Sequence, residues 1–328
     1  MGLIFTGAAL IGVIMLANRL SALQNQRYYR IFDSFVLLAH LGMMLMGLSV
    51  WLAPSPQLAS LSQNFGAESI NLPLVGMLIL GMAGWGILVS FRSFRLGLAR
   101  WLPVNPDQPV HTLALLFSVY LTGNTLLTLT QGGLESLAAN LESPTLVDVL
   151  LQLLLFLLLA LFGVGWLTRR SGRALWQRLG VERPTQAQLQ TGLRWILVLV
   201  IFQWAIGAVW ALLAPEQVEL VDGINITFLG SFDTLWEWLV LALATGVGEE
   251  LLFRGALQPV LGIGYTSIIF AVAHVQYGLT PFTLVVLILS LVLGIIRRQS
   301  NTTVAIFVHS GYNFLLGLFT LLAATITP

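Results

Sequence analysis

The 328-residue chain contains no cysteine, so disulfides, thiol catalysis and thiolate metal sites are excluded. It contains no lysine either, and all 15 basic residues are arginine. Charged residues make up only 9% of the sequence, against roughly 25% in a soluble globular domain. So few charges cannot cover a water-exposed surface. The arginines are scattered and the net charge is +1, which gives no electrostatic footprint for nucleic acid. What the chain has in abundance is apolar sequence: 57% hydrophobic residues and a mean hydropathy of +0.88. Its runs are continuous and Leu-rich rather than alternating, which argues against a β-barrel. An all-α, polytopic transmembrane bundle remains, because each helix satisfies its own backbone hydrogen bonds in lipid.

Ten candidate spans lie near 3–20, 31–53, 73–91, 109–130, 145–167, 191–213, 233–252, 262–277, 281–297 and 302–325. Gly2 to Ala17 reads as a retained span rather than a cleaved signal. Ser143 before Pro144, Asp233 and Asn301 are expected helix starts. With ten alternating spans, Arg19, Arg27, Arg30, Arg92, Arg95, Arg100, the cluster from Arg169 to Arg194, Arg297 and Arg298 all fall on one side. The opposite loops carry Glu68, Glu135, Glu142, Glu216, Glu219 and Asp222 without an arginine. The arginine side is therefore expected to be cytoplasmic and both termini extracytoplasmic. The segment 168–190 could lie on the anionic membrane surface and divides the chain into 1–190 and 191–328. The loop 214–232 is expected to be a solvated connector.

Ionisable residues inside spans are costly and mark function. In the first half, Asp33, His40, His111 and Asp148 read as end-of-helix or helix–helix contacts. The second half differs. One span ends in Glu249-Glu250-Leu-Leu-Phe-Arg254-Gly255, the next carries Phe270-x-x-x-His274, and the last carries His309-x-x-x-Asn313. Each pair spaced by four shares a helix face, so Glu250 can meet Arg254 while Glu249, ~100° away, points elsewhere. Counting ~1.5 Å per residue puts His309 about 10 Å into its span and His274 about 15 Å deep, unless the eighth span is tilted or partly re-entrant. A carboxylate, two imidazoles and an amide are what hydrolysis of an unactivated bond needs: a base for water, donors for the oxyanion and an acid for the leaving group.

These three motifs resemble those of the CPBP family, the CAAX-processing and bacteriocin-processing intramembrane proteases, also called the Abi or type II CAAX prenyl endopeptidase family. The resemblance covers about 233–320 and places the catalytic region in 191–328, with the motifs inside 249–313. It implies that Glu249, with His274, activates water, that His309 and Asn313 hold the water or the oxyanion, and that Glu250, Arg254 and Phe270 support the site. Two chemistries share these residues: a glutamate-type reaction without cofactor, the expectation here because no His-Glu-x-x-His spacing occurs, and a zinc site of Glu249, His274 and His309. The implied partners are the lipid bilayer and a membrane-associated peptide or protein, lipidated in the eukaryotic case. The short loops and arginine bias suit a prokaryotic plasma (inner) membrane. A transporter or a scaffold that retains the motif set is the alternative, since buried Asp, Glu and His also serve carriers.

Overall fold

A computed structural model describes residues 2–52, 71–130, 133–278 and 280–326. Glu68 of the sequence reading lies outside them. Among the described residues the chain is helical, with one isolated bridge between Trp166 and Arg170. The helices are α1 (Gly2–Leu23), α2 (Gln26–Leu52), α3 (Leu72–Ser90), α4 (Arg92–Leu98), α5 (Pro109–Thr130), α6 (Gly133–Asn140), α7 (Leu146–Gly163), α8 (Gly172–Leu179), α9 (Gln186–Leu213), α10 (Pro215–Leu229), α11 (Leu235–Glu249), α12 (Gln258–Ala273), α13 (Pro281–Gln299) and α14 (Thr302–Ile326). A π-helical segment, Glu250–Leu257, joins α11 to α12.

Among the described residues, eight helical stretches are long and apolar enough to cross a membrane, and Gly7–Leu23 is a shorter apolar helix. One stretch, Leu235–Ala273, is twice the length a bilayer needs. It folds on itself at Gly262, whose φ of 78° and ψ of 167° interrupt α12. A side chain is strained at that φ, so glycine suits the turn. The expected seventh and eighth spans are thus the two arms of one hairpin, which brings the arrangement to about ten spans. Phe253 packs edge-on against Phe270 at 5.0 Å, as antiparallel arms closing at Gly262 require.

Local signals set the helix ends, with corrections to the expected ones. Thr145, not Ser143, caps α7 in a reciprocal box with Asp148, and Thr234, not Asp233, caps α11 with Glu237. Asn301 accepts from Val304 N at 3.0 Å at the start of α14. The loop 214–232 is no solvated connector. Pro215 opens α10, and the i, i+3 pair Val221 and Ile224 is fully buried. Its acids lie on the remaining faces, which disguised an amphipathic helix as a polar loop. The helix α8 packs into the protein as well as facing the surface: Leu175 and Leu179 join Ala160, Val164, Leu251 and Ala256 in a core cluster.

The largest core cluster draws Ile14, Phe32, Leu115 and Leu116 from the first half and Leu261 and Phe270 from the second. His40 is satisfied between helices: Nδ1 donates to the Val36 carbonyl at 2.6 Å, and Nε2 pairs with the Tyr120 hydroxyl. Asp33 pairs with the buried Arg95 at 2.8 Å.

The crossing of α11 and α14 fixes the distance between the first and third motifs. A Cβ on Gly246 would come within 3.0 Å of the Ser310 backbone nitrogen and closer still to its hydroxyl. Gly246→Leu should therefore wedge the helices apart, lowering stability by about 1–3 kcal/mol. Thermal unfolding in detergent checks this.

Candidate active site

Glu249 ends α11, one turn past Gly246, and Glu250 opens the π segment. Glu250 is fully buried, and Glu249 is 8% exposed. Glu250 is paired on both sides: Oε2 lies at ion-pair distance, 3.3 Å, from Arg254 Nε without a hydrogen bond, and Oε1 accepts from His309 Nδ1 at 2.9 Å. Arg254, buried in turn, donates through Nη2 to the Ser290 hydroxyl at 3.1 Å and stacks over the Phe270 ring at 4.6 Å. A buried charge is tolerable when it is paired; the ion pair meets that need here, while Glu250 Oε2 and Arg254 Nε and Nη1 stay without hydrogen bonds.

Glu249 is placed differently. Its Oε2 is buried with no hydrogen-bond partner and lies 4.0 Å from His309 Nε2, too far for a direct bond. Because Nδ1 of His309 donates to Glu250, Nε2 of the neutral ring is an acceptor, aimed toward Glu249. Glu250 thus orients the imidazole in the way a carboxylate fixes a catalytic or metal-bound histidine.

The hairpin sets the depth of His274. Glu249 lies thirteen residues before Gly262 and His274 twelve after it, so the two reach the same level. The count of about 15 Å holds for an upright eighth span, and the kink at Gly262 departs from that. His274 Nδ1 donates to the Phe270 carbonyl at 2.8 Å, leaving Nε2 free as an acceptor. Its ring is flanked by Phe270, at 4.7 Å between centroids, and by Tyr277, stacked at 6.3 Å. His274 makes no direct hydrogen bond to Glu249 or His309; Phe270 stands between the two imidazoles, 6.0 Å from His309. Asn313, one turn after His309, donates through Nδ2 to the Thr245 hydroxyl at 3.0 Å.

A cavity of about 2000 Å³ separates these side chains into two sets. Glu249, His274, His309 and Asn313 line it, whereas Glu250, Arg254 and Phe270 lie behind the lining. Phe117 and Leu121 of α5 and Phe156 and Leu159 of α7 form the facing wall, which assigns the first half a structural part in the site. Three contributors escaped the sequence reading. Thr245 sits at i−4 from Glu249 and Tyr277 at i+3 from His274, spacings that could have revealed them. Ser290 reaches Arg254 from α13 and has no local signal.

The zinc arrangement can be tested on these contacts. Among the described residues, no three His, Asp or Glu side chains are grouped as a metal ligand set, and Glu250 is committed to Arg254 and His309. Glutamate-type and zinc-type chemistry draw on the same cavity-lining residues, Glu249, His274 and His309.

The fold and the site together define a polytopic helical membrane protein with a buried Glu/His constellation facing an internal cavity. Residues 231–315, which hold all three motifs, match the family model described as Rce1-like, type II CAAX prenyl endopeptidase Rce1-like. Over that stretch the chain is similar to the CPBP family, and the match supports a membrane protease of the CAAX type. No curated protein and no solved structure matches the chain.

Proposed function

We propose that the chain is an intramembrane endopeptidase that hydrolyses a peptide bond of a membrane-associated polypeptide, lipidated or not, near the cytoplasmic face of a prokaryotic plasma membrane. Its catalytic region is 191–328, and both termini are extracytoplasmic. One observation carries this reading: of two adjacent buried carboxylates, Glu250 is ion-paired to Arg254 and hydrogen-bonded to His309, while Glu249 lines the cavity without a hydrogen bond beside an oriented imidazole.

The 4.0 Å gap between Glu249 Oε2 and His309 Nε2 suits one water molecule. Two hydrogen bonds of about 2.8 Å spanning it subtend about 90°, close to the angle between the hydrogens of water. Such a water donates to both groups and turns its lone pairs toward a substrate carbonyl. Glu249 takes one proton as the oxygen adds to the carbonyl carbon. The second amide hydrogen of Asn313 is a donor for the developing oxyanion. As the C–N bond breaks, the proton held by Glu249, passed directly or through His274, goes to the leaving nitrogen. Glutamate-type chemistry of this kind uses no cofactor.

In proteoliposomes, Glu249→Gln and His274→Ala should each abolish cleavage of a verified substrate, while Tyr120→Phe, at the His40 contact, should not. Unchanged cleavage in either of the first two contradicts the reading. One observation favours a second reading, solute transport: the same cavity is also lined by Asp148, Asp222 and Asp233 of the acid-bearing side. Solute uptake into vesicles, retained in Glu249→Gln, would support it.

A further inference from the structure

The turn after α7 holds a second constellation that the proposed hydrolysis does not use. Gly165 takes a φ of 96°, and its carbonyl accepts from both Arg169 N, at 2.8 Å, and Arg170 N, at 2.9 Å. The chain is thereby folded back, and Arg169 and Arg170 line the cavity. Arg178 of α8 lines it as well, anchored by Nη1 donating to the Gly255 carbonyl at 2.8 Å. At the start of α5, His111 completes the group. Its Nδ1 accepts from Asn105 N at 2.9 Å, so the neutral ring keeps its hydrogen on Nε2.

Among the described residues, no carboxylate lies at ion-pair distance from these arginines. Their other contacts are neutral: Arg169 Nη1 donates to Gln108 Oε1 at 3.1 Å and Arg170 to the Val164 carbonyl, while Arg169 Nε is buried without a partner. Burial, then the neighbouring Arg170, Arg297 and Arg169, hold the Arg178 guanidinium down at about 10. Guanidinium groups crowded in this way without a counter-charge form a positive site in a partly dehydrated mouth, and an anion relieves both costs.

The donor count selects the anion. A single carboxylate answers one guanidinium fork, whereas a phosphate offers several acceptor oxygens to several forks at once. The place selects the source. Arg169 and Arg170 follow directly on the last turn of α7, Leu146–Gly163, at the level where a span leaves the hydrocarbon. Basic pockets between helices on this side of a membrane take lipid headgroups. We propose that Arg169, Arg170, Arg178 and His111 form a phosphate-binding site at the arginine-side mouth of the cavity, occupied by the headgroup phosphate of an anionic lipid.

The test is independent of proteolysis. The full chain, stripped of lipid in neutral detergent, is melted with dioleoylphosphatidylglycerol, dioleoylphosphatidylcholine or sodium phosphate. The comparison proteins are Arg169→Gln/Arg170→Gln, Arg169→Lys/Arg170→Lys and, should the glutamine pair fail to fold, Arg170→Gln alone. Phosphatidylglycerol should raise the wild-type melting temperature and phosphatidylcholine should not. The half-saturating phosphatidylglycerol concentration should rise about tenfold or more in the glutamine variants and less in the lysine pair. Competition by sodium phosphate confirms the shared chemistry; protection by sodium phosphate without a phosphatidylglycerol preference makes the occupant a soluble phosphate and overturns the lipid assignment. Equal responses to both lipids, with sodium phosphate inert, overturn the site. So does a glutamine variant that alters only the response to a free-acid over an amidated peptide, which would assign the arginines to a polypeptide carboxylate.

Discussion

Arg254→Met is expected to destabilise the folded protein by about 3–5 kcal/mol, because it leaves the fully buried Glu250 carboxylate without its counter-ion. Methionine preserves much of the arginine stem's volume, so the loss is electrostatic rather than a cavity. The neighbouring contacts sharpen the expectation. Ser290 loses its donor, and Phe270 loses the guanidinium over its face. Adding Glu250→Gln to Arg254→Met removes the stranded charge and should recover a large part of the stability, a non-additivity that a double-mutant cycle measures directly. Thermal unfolding in detergent supplies the readout. An Arg254→Met protein as stable as wild type would mean that Glu250 has no need of the ion pair.

The adjacent glutamates should separate stability from turnover. Glu249→Gln removes no hydrogen bond in the fold, since Oε2 has no protein partner, and the amide fills the same space. Its melting temperature should stay close to wild type, with stability within about 0.5 kcal/mol. Turnover of a verified substrate should fall by about 10²–10⁴-fold, the range for loss of a general base. Glu250→Gln should lose both, because it weakens the partner of Arg254 and the acceptor that orients His309. The opposite pattern, with Glu249→Gln unstable and Glu250→Gln stable and inactive, would exchange the two assigned roles.

Much of the site was legible because helical spacing is local. The i, i+4 pairs Glu250–Arg254, Phe270–His274 and His309–Asn313 place their members on shared faces, and the apolar runs mark the spans. The depth of His274 was not legible. It depends on Gly262 closing a hairpin, and a glycine in an apolar run reads equally as a tolerated helix residue. The π segment, Glu250–Leu257, was hidden as well, since no residue in it marks a widened turn. Helix α10 was missed because acids at Glu216, Glu219 and Asp222 masked the buried face of Val221 and Ile224. The cavity walls from α5 and α7 are long-range contacts between featureless apolar helices, whose sequences carry no record of what they face.

The central claim is that Glu249 drives proteolysis of a membrane-associated polypeptide. Its most direct test compares the termini of all membrane proteins in cells carrying the wild-type chain or Glu249→Gln at matched abundance. The account predicts at least one new terminus that appears with wild type and is absent with Glu249→Gln, which would also name the substrate. Identical sets of termini across a range of growth conditions would contradict it and return the intact motifs to a structural role.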